Sequence, residues 1–208
     1  MFRLWIEFVA LYVGVPVLLA TFMNGRPFLP FLWIVALICV AVLLRDRSFN
    51  RRRFFSLRKH WRHVGGVLLR CTIIAGLALA AVLLLQPREL FNFPRRHPAF
   101  WALVMVMYPI VSVYPQGIIY RGLFFHRYAR LFPSPLTRIV AAAAVFSLGH
   151  LMFLSPWTLV FTFVGGLLFA RTYVRTESLL VSSLEHGLCG DIMFTVGLGF
   201  LFYHGAVR

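Results

Sequence analysis

Three segments of the chain carry polar side chains that could perform acid–base or electrostatic catalysis, each set in an otherwise apolar run. The first holds Gln116 and Arg121, the second holds His150, and the third holds His186 close to Asp191. An imidazole exchanges protons near neutral pH, and buried donors stabilise a developing oxyanion more strongly than they would in water. Such residues form a site only if the fold brings them to one place.

The positions of these groups along the chain predict that they lie at one depth of a helical bundle. Gln116 (if its helix continues past Pro115), His150 and His186 are each 11 or 12 residues from a basic residue of the predicted cytoplasmic collar. Those basic residues are Arg127, Arg138 and Arg175. At a rise of 1.5 Å per residue, each group is about 16–18 Å from the collar. Convergence of this kind is what a buried site requires.

The composition indicates a membrane protein. Of the 208 residues, 61% are hydrophobic and 13% are charged, whereas soluble domains are about half apolar and about a quarter charged. A formal charge of +15 would suggest nucleic acid in a soluble protein. Here the arginines lie between apolar runs, where a membrane protein keeps its cytoplasmic charge, so we predict no nucleic-acid partner. The three cysteines have no paired spacing and are interpreted as small hydrophobic residues.

The hydrophobic runs predict an all-α fold, a polytopic bundle of about seven transmembrane helices. A hydrocarbon core about 30 Å thick needs about 20 mostly apolar residues per helix. The run after Arg3 lacks a small-x-small cleavage site, so we predict a first membrane helix there and no signal peptide. The predicted spans, of which the sixth is short, are about 4–23, 28–44, 64–85, 99–120, 137–154, 157–170 and 178–203.

Loop charge predicts the orientation of the bundle. The loop between positions 45 and 63 carries Arg45, Arg47, Arg51, Arg52, Arg53, Arg58, Lys59 and Arg62. Basic residues collect in cytoplasmic loops, so alternation of the spans puts the N-terminus inside and the C-terminus outside, in the plasma or inner membrane. Whether the two termini lie on opposite sides of the membrane depends on whether the short sixth span crosses it. We divide the chain into an N-terminal accessory region, 1–98, and a core that carries the polar segments, 99–208.

The three polar segments resemble the three motifs of the CPBP family, the CAAX-protease and bacteriocin-processing intramembrane endopeptidases. Those motifs are Glu-Glu-x-x-x-Arg, Phe-x-x-x-His and His-x-x-x-Asn/Asp. The second is complete from Phe146 to His150, the first keeps Arg121, and the third keeps His186. The resemblance covers about 99–195. It implies an intramembrane endopeptidase that hydrolyses a peptide bond of a membrane-associated substrate.

In that family, a glutamate of the first motif and a histidine are held to activate a water, while the third motif stabilises the oxyanion. The sequence departs from the pattern at the end of the third motif, where Gly190 precedes Asp191, and at both acids of the first motif. The amide that replaces the first acid cannot act as a general base at ordinary pH. By resemblance, the catalytic positions are Gln116, Gly117, Arg121, His150 and His186.

Glu185 and Asp191 are the acids nearest to His186 in the sequence, but helical geometry points both away from it. Adjacent helical residues differ by about 100°, and residues five apart differ by about 140° after whole turns are removed. We therefore predict structural pairing for these acids, with Arg121 as a candidate partner. The alternative for Arg121 is a snorkelling position. For His150 and His186 it is an interhelical hydrogen bond.

Three functions therefore stay open. The first is the endopeptidase, and the second is a non-catalytic pseudoprotease that binds a membrane partner in the former active-site cavity. The third is a small transporter or metal-binding protein built on His150, His186 and Asp191. We predict a lipid bilayer and a membrane-associated peptide or protein as partners, and no required cofactor. A divalent metal is an alternative, although a histidine pair without convergent carboxylates has fewer donors than a metal site needs.

Overall fold

The computed structural model describes residues 1–22, 28–56 and 61–201, and these residues form helices and turns without a β-strand. A short helix, Asn92–Arg96, precedes the fourth long one. The long helices of this part of the chain are α1 Phe2–Phe22, α2 Leu29–Arg45, α3 Trp61–Leu85, α4 Pro98–Arg127, α5 Pro135–Leu148, α6 Pro156–Thr176 and α7 Leu179–Val196. The predicted all-α bundle is confirmed.

Within the described residues, six helical segments are long and apolar enough to cross a membrane, and α2 is a shorter apolar helix. The chain is therefore a multi-pass membrane protein. The sixth predicted span, 157–170, was too short: α6 has 21 residues. Its last turns carry the exposed Arg171 and Arg175, which lower the hydropathy without ending the helix. The helix ends at Glu177, whose φ of 49° is left-handed.

The outer surface of the bundle is apolar, as contact with lipid requires. On α3, the exposed side chains include Leu69, Leu77 and Leu84, at 64%, 67% and 81% of their full accessible area. A soluble protein rarely exposes a contiguous apolar surface of this kind. In a bilayer the same side chains are solvated by hydrocarbon, so α3 presents one face to lipid and the other to the bundle.

The helix α7 lies at the centre of the arrangement. It packs against α3, α6 and the middle of α4, while α5 and α6 pack together as a hairpin. The helix α2 packs against the second half of α4. All three motif segments are thereby placed on neighbouring elements: the middle of α4, the end of α5 and the first half of α7.

Two ion pairs and one histidine–aspartate hydrogen bond join helix ends and loops at the end of the bundle that carries the arginine-rich loop. They connect the N-terminal helix, that loop, the end of α4 and the α6–α7 turn. The pairs are Glu7 with Arg127, Asp46 with His126, and Arg53 with Glu177. These four regions were predicted to share one side of the membrane, and the contacts place them at one end of the molecule.

Proline positions in α4 are accommodated by side chains from neighbouring helices. Pro115 has no N–H, so the carbonyl of Val111 loses the donor that an α-helix would supply four residues on. The indole Nε1 of Trp33 donates to that carbonyl at 3.0 Å. The helix widens into π-helical turns over 109–113 and 118–123. Consequently α4 runs unbroken to Arg127 past Pro115, beyond its predicted end at position 120.

Serine caps fix where the site-bearing helices begin. Ser134, Ser155 and Ser178 each accept a hydrogen bond from the backbone N–H three residues on, at the starts of α5, α6 and α7. Such caps are each worth about 1 kcal/mol. Two basic residues of the arginine-rich loop, Arg58 and Lys59, lie outside the described residues.

Candidate active site

Two cavities, each partly open to the outside of the bundle, meet at a wall that contains Tyr108 and His150. The first, of about 380 Å³, lies between α1, α2, α4 and the ends of α5 and α7, and Gln116 lines it. The second, of about 400 Å³, lies between α3, α4, α6 and α7, and His186 lines it. Tyr108, His150 and Phe194 line both cavities, so Tyr108 and His150 are the polar side chains among these residues that are reachable from either side.

His150 is held in an orientation suited to a base. It lies in the turn that follows the end of α5 at Leu148. Its Nδ1 is 2.8 Å from the carbonyl oxygen of Phe146. Because a carbonyl can only accept, Nδ1 donates, and the neutral imidazole then has an unprotonated Nε2. The ring also packs edge-on against that of Phe146, with centroids 4.7 Å apart. His150 therefore has one fixed nitrogen and one available lone pair.

His186 is fixed by packing in a nearly apolar environment. Its side chain is 5% exposed. The ring stacks on Phe169 at 4.5 Å and meets the edge of Phe146 at 5.2 Å. The nearest polar contact is the hydroxyl of Tyr108, 3.5 Å from Nε2, and Nδ1 has no hydrogen-bond partner among the described residues. The packing positions His186 and leaves it hydrogen-bonding capacity that the described residues do not use.

Gln116 points a polar group into the first cavity. It is 7% exposed, and its Nε2 donates to the hydroxyl of Ser112 at 2.9 Å. Its Oε1 is buried without a hydrogen-bond partner in the described part of the chain. An unpaired buried acceptor is costly, so this oxygen is suited to a donor from a bound ligand. This oxygen can accept a hydrogen bond, but a neutral amide does not take up a proton at ordinary pH, so Gln116 is not a general base.

Arg121 lies where the resemblance to the family predicts an acidic neighbour. It is 2% exposed, with Nη2 3.5 Å from the hydroxyl of Ser183 and its guanidinium carbon 5.8 Å from the centre of the Phe169 ring. A Cβ added to Gly117 would lie 2.8 Å from that serine oxygen and 2.9 Å from Nη2. The polar ends of Arg121 and Ser183 therefore fill the volume where the second acid of the first motif would begin.

Glu185 is engaged elsewhere and lines neither cavity. It is fully buried, and its Oε1 accepts from Nε of Arg70 at 2.6 Å. Arg70 also donates to Thr172 at 3.0 Å. The suggested pairing of Glu185 with Arg121 was wrong, because α3 delivers a closer arginine. Asp191 also lines neither cavity, so neither acid near His186 replaces the missing carboxylates.

Glu89 is the carboxylate that does line a cavity in the described part of the chain. It belongs to the turn before α4 and borders the first cavity. Its Oε2 accepts a hydrogen bond from the amide of Asn92 at 2.8 Å. It is thus an additional candidate for acid–base chemistry, and the sequence analysis did not single it out.

The three polar segments were predicted to converge on one site, but their side chains are divided between two cavities. Gln116 and His150 share the first cavity and His150 and His186 share the second, with the Phe146 ring between the two imidazoles. The ring intervenes because Phe146, near the end of α5, packs directly against His150 in the turn that follows. The catalytic roles of the motif positions stay predictions.

Besides Glu89, two further residues were not identified from the sequence. Arg70 is an isolated charge within the apolar run of the third span, and that isolation was the available signal. Tyr108 had no signal, because the ring of a tyrosine in an apolar run packs as a hydrophobic group and its hydroxyl gives no pattern in the sequence. Concerning metals, no three His, Cys, Asp or Glu side chains in the described residues lie together as a metal site would need.

The fold and the site define a class: a helical membrane protein with histidines, an amide and an arginine gathered in the interior. Residues 98–190, just under half of the chain, match the family model described as type II CAAX prenyl endopeptidase Rce1-like. The resemblance to the CPBP endopeptidases is thereby confirmed over the segment that carries the motifs. No curated protein and no solved structure matches the chain.

Proposed function

We propose that the chain is an intramembrane endopeptidase of the CAAX type in which His150 activates the attacking water. The observation that supports it most directly is the hydrogen bond from His150 Nδ1 to the Phe146 carbonyl at 2.8 Å. That bond leaves Nε2 as the proton acceptor of a neutral imidazole. A positioned histidine is the commonest general base in enzymes, so the loss of the first-motif acids reduces the activity without abolishing it.

The proposed reaction conserves every proton. His150 Nε2 removes a proton from water, and the oxygen of that water bonds to the carbonyl carbon of the scissile peptide. The carbonyl π pair moves to its oxygen, which forms an oxyanion. When the tetrahedral intermediate collapses, the carbon–nitrogen bond breaks and the leaving amine takes the proton back from the imidazole. Arg121 supports the negative charge from the α4 side through the field of its buried guanidinium.

We propose that the substrate is a membrane-associated peptide that enters through the first cavity. The walls of that cavity are mostly apolar, with Gln116 as a polar point in the interior. This combination suits a peptide with a hydrophobic or lipid-modified end, whose amide N–H could donate to Gln116 Oε1. The description of the matching family model names a CAAX prenyl endopeptidase, which makes a farnesylated peptide the first probe to try.

The experiment measures cleavage of a farnesylated CAAX-type peptide by the purified, detergent-solubilised chain. We expect slow cleavage by the unaltered chain and a loss of about 10²–10⁴-fold in His150→Ala. Glu89→Gln is the discriminating variant, since it removes the carboxylate that borders the first cavity and conserves its shape. Loss of activity in Glu89→Gln with retention in His150→Ala would assign the base to Glu89 and overturn the proposed role of His150.

A pseudoprotease is the second candidate, and one observation favours it. The volume beside Gly117 is filled by Arg121 and Ser183, so the position of a family acid is closed. On this candidate the chain binds a membrane peptide without cutting it. Retention of the farnesylated peptide with no product after prolonged incubation, in both the unaltered chain and His150→Ala, would select this function.

The remaining expectations belong to the same proposal. We propose that the protein resides in the plasma or inner membrane with its N-terminus cytoplasmic, because the arginine-rich loop belongs on that side. Among the described residues, no carboxylate lines the second cavity with the two histidines, and two histidines are too few donors for a resident divalent ion. We therefore propose a reaction that needs no metal, to be checked by unchanged cleavage in a strong chelator.

A further inference from the structure

Tyr108 occupies the space that a side chain at position 190 would need. A Cβ added to Gly190 would lie 2.5 Å from the Tyr108 hydroxyl oxygen and 2.7 Å from its Cζ. Separations this short are not tolerated between non-bonded atoms. Glycine at 190, one helical turn after His186, therefore allows the phenol of Tyr108 on α4 to lie against α7.

The hydroxyl of Tyr108 is thereby fixed at the wall between the two cavities. The Tyr108 ring packs edge-on against Phe194, with centroids 5.2 Å apart. Its oxygen is 3.5 Å from His186 Nε2, and its side chain lines both cavities together with His150. A rigid aromatic stem that ends in a hydroxyl beside His186, on a wall that also contains His150, is a preorganised polar group.

The proton of this hydroxyl is available for a ligand. A distance of 3.5 Å is longer than an ordinary O–H···N hydrogen bond, so the hydroxyl is not committed to His186. If His186 Nε2 carries the imidazole proton and donates to the phenol oxygen, the phenol proton is left to point into a cavity. In the opposite tautomer Nε2 is an acceptor, but at 3.5 Å it holds the phenol proton weakly enough for that proton to turn towards a ligand. Nδ1 is without a partner among the described residues in either tautomer.

We infer that Tyr108 is a further catalytic residue of this chain, a hydrogen-bond donor to the oxyanion of the tetrahedral intermediate. The inference rests on the proposed endopeptidase function. The phenol keeps its proton throughout: it donates to the carbonyl oxygen more strongly as the π pair moves there, and the bond weakens when the intermediate collapses. A neutral phenol is a donor across the physiological range, since its ordinary pKa is about 10.

The first test is Tyr108→Phe, which removes one oxygen and retains the ring that packs on Phe194. Loss of one oxyanion donor typically lowers kcat about 10²–10³-fold, and we expect this loss with little change in KM or in melting temperature. Tyr173→Phe is the matched control, because Tyr173 is a buried tyrosine on α6 that lines neither cavity. Equal kcat in Tyr108→Phe and the unaltered chain would overturn the inference and leave the endopeptidase proposal standing.

A binding measurement separates the donor role from turnover. A farnesylated peptide with a phosphinate in place of the scissile amide presents tetrahedral, negatively charged oxygens. We expect Tyr108→Phe to weaken its binding by about 10–100-fold, as loss of a hydrogen bond to a charged group does, and to leave binding of the amide peptide unchanged. If this result is obtained and the unaltered chain shows no cleavage, Tyr108 is a hydrogen-bond donor to the bound oxygen and the proposed endopeptidase function is wrong. Equal phosphinate affinity in both forms, or none above that of the amide, would overturn the inference.

A reciprocal swap tests the shared volume independently of packing losses. Gly190→Asn alone should lower the melting temperature, because its side chain collides with Tyr108. Tyr108→Ala alone should lower kcat and leave a void. The double variant Tyr108→Ala, Gly190→Asn should recover stability and part of kcat, since the amide of Asn returns a donor to the same place. A double variant that is no more stable than Gly190→Asn would contradict the shared volume.

Discussion

The Nε atom of Arg70 on α3 lies 2.6 Å from Oε1 of Glu185 on α7, an ion pair formed inside the membrane. Glu185 is fully buried, and the Arg70 side chain is 30% exposed. This contact ties α3 to the helix that carries His186. It also gives the buried carboxylate a structural partner, which removes it from consideration as the missing base.

Arg70→Ala should therefore destabilise the bundle, because it leaves a buried carboxylate without its cation. Breaking a buried pair by removing one partner costs about 3–5 kcal/mol, and the partial exposure of Arg70 puts the expected loss near the lower end. The measurement is the thermal midpoint of the detergent-solubilised protein. Arg171→Ala, an exposed arginine of α6, is the control. Glu185→Gln, which removes the charge and keeps the shape, should cost less than Arg70→Ala; the reverse order would contradict this account.

The orientation prediction can be tested at three described positions. Reporter fusions after Arg52 and after Thr176 should report the cytoplasm, because the arginine-rich loop and the α6–α7 turn are joined by the Arg53–Glu177 ion pair. A fusion after Arg96, in the loop between α3 and α4, should report the opposite side. The expectation follows from the excess of arginine in the loop between α2 and α3. Cytoplasmic signals from all three fusions would show that α3 does not cross the membrane.

Much of the fold could be predicted because a bilayer imposes simple rules on sequence. The lengths of the hydrophobic runs located the spans. Isolated polar residues within those runs, such as His150 and His186, indicated that polar side chains face the interior of the bundle. Hydropathy failed at the end of α6, since Arg171 is polar but exposed and the helix continues through it. That helix ends because Glu177 adopts a left-handed φ, and a backbone conformation cannot be predicted from hydropathy.

The site was only partly predictable because its key contacts are between distant segments. The partner of Glu185 is 115 positions away, so no local pattern could select Arg70 over Arg121. The contact between Tyr108 and Gly190 has the same character: it depends on how closely α4 approaches α7. The second motif was recognisable because Phe146, near the end of α5, and His150, in the turn that follows it, are close in the sequence and in contact in space.

Cys71 on α3 and Cys189 on α7 offer a direct test of the packing beside the second cavity. Their sulfur atoms are 3.9 Å apart and both residues are buried, so rotation about the side-chain bonds can bring them to a disulfide length of about 2.05 Å. Mild oxidation with a copper–phenanthroline complex should join them, as read by mass spectrometry of a proteolytic digest. Cys39, buried in a separate aromatic cluster, should stay unjoined. A Cys39 cross-link, or none after exhaustive oxidation, would contradict the arrangement of α3 against α7.

Acid sensitivity should report the contact between Asp46 and the end of α4. Hydrogen bonds from the Ser48 side chain, from His126 and from the Ser48 backbone lower the pKa of Asp46 to about 2. Because the folded pKa is below the unfolded value of about 3.9, this carboxylate stabilises the fold above about pH 4. The contribution is lost as the pH falls towards 2.

The test compares the melting temperatures of the unaltered chain and Asp46→Asn between pH 2 and 6. The difference should be present at pH 6 and should shrink as the pH falls from 4 to 2. Ser48→Ala removes the largest cause of the low pKa, so its transition should move to higher pH than that of the unaltered chain. A difference that is constant across the range would show that Asp46 is not titrating with a lowered pKa.

The last prediction concerns the acid that the first motif has lost. Gly117→Glu places a carboxylate four residues before Arg121 on the same helix face, where the two charges can pair. Its Cβ would approach Ser183 Oγ and Arg121 Nη2 at 2.8 and 2.9 Å, but both are side-chain ends that can rotate away. We expect the variant to fold and to cleave the farnesylated peptide about 10²-fold faster, because a carboxylate base joins His150.

The control for this gain is Gly117→Gln, which demands the same space and supplies no base. If glutamate raises the rate and glutamine does not, the unaltered chain has the architecture of the family enzyme and lacks one catalytic group. If both variants lower the rate equally, the guanidinium of Arg121 is needed where it now lies, beside Gly117, and the site has adapted to the absence of the acid. In that case Arg121→Lys should also lose activity, since only the planar guanidinium can both lie over Phe169 and reach Ser183.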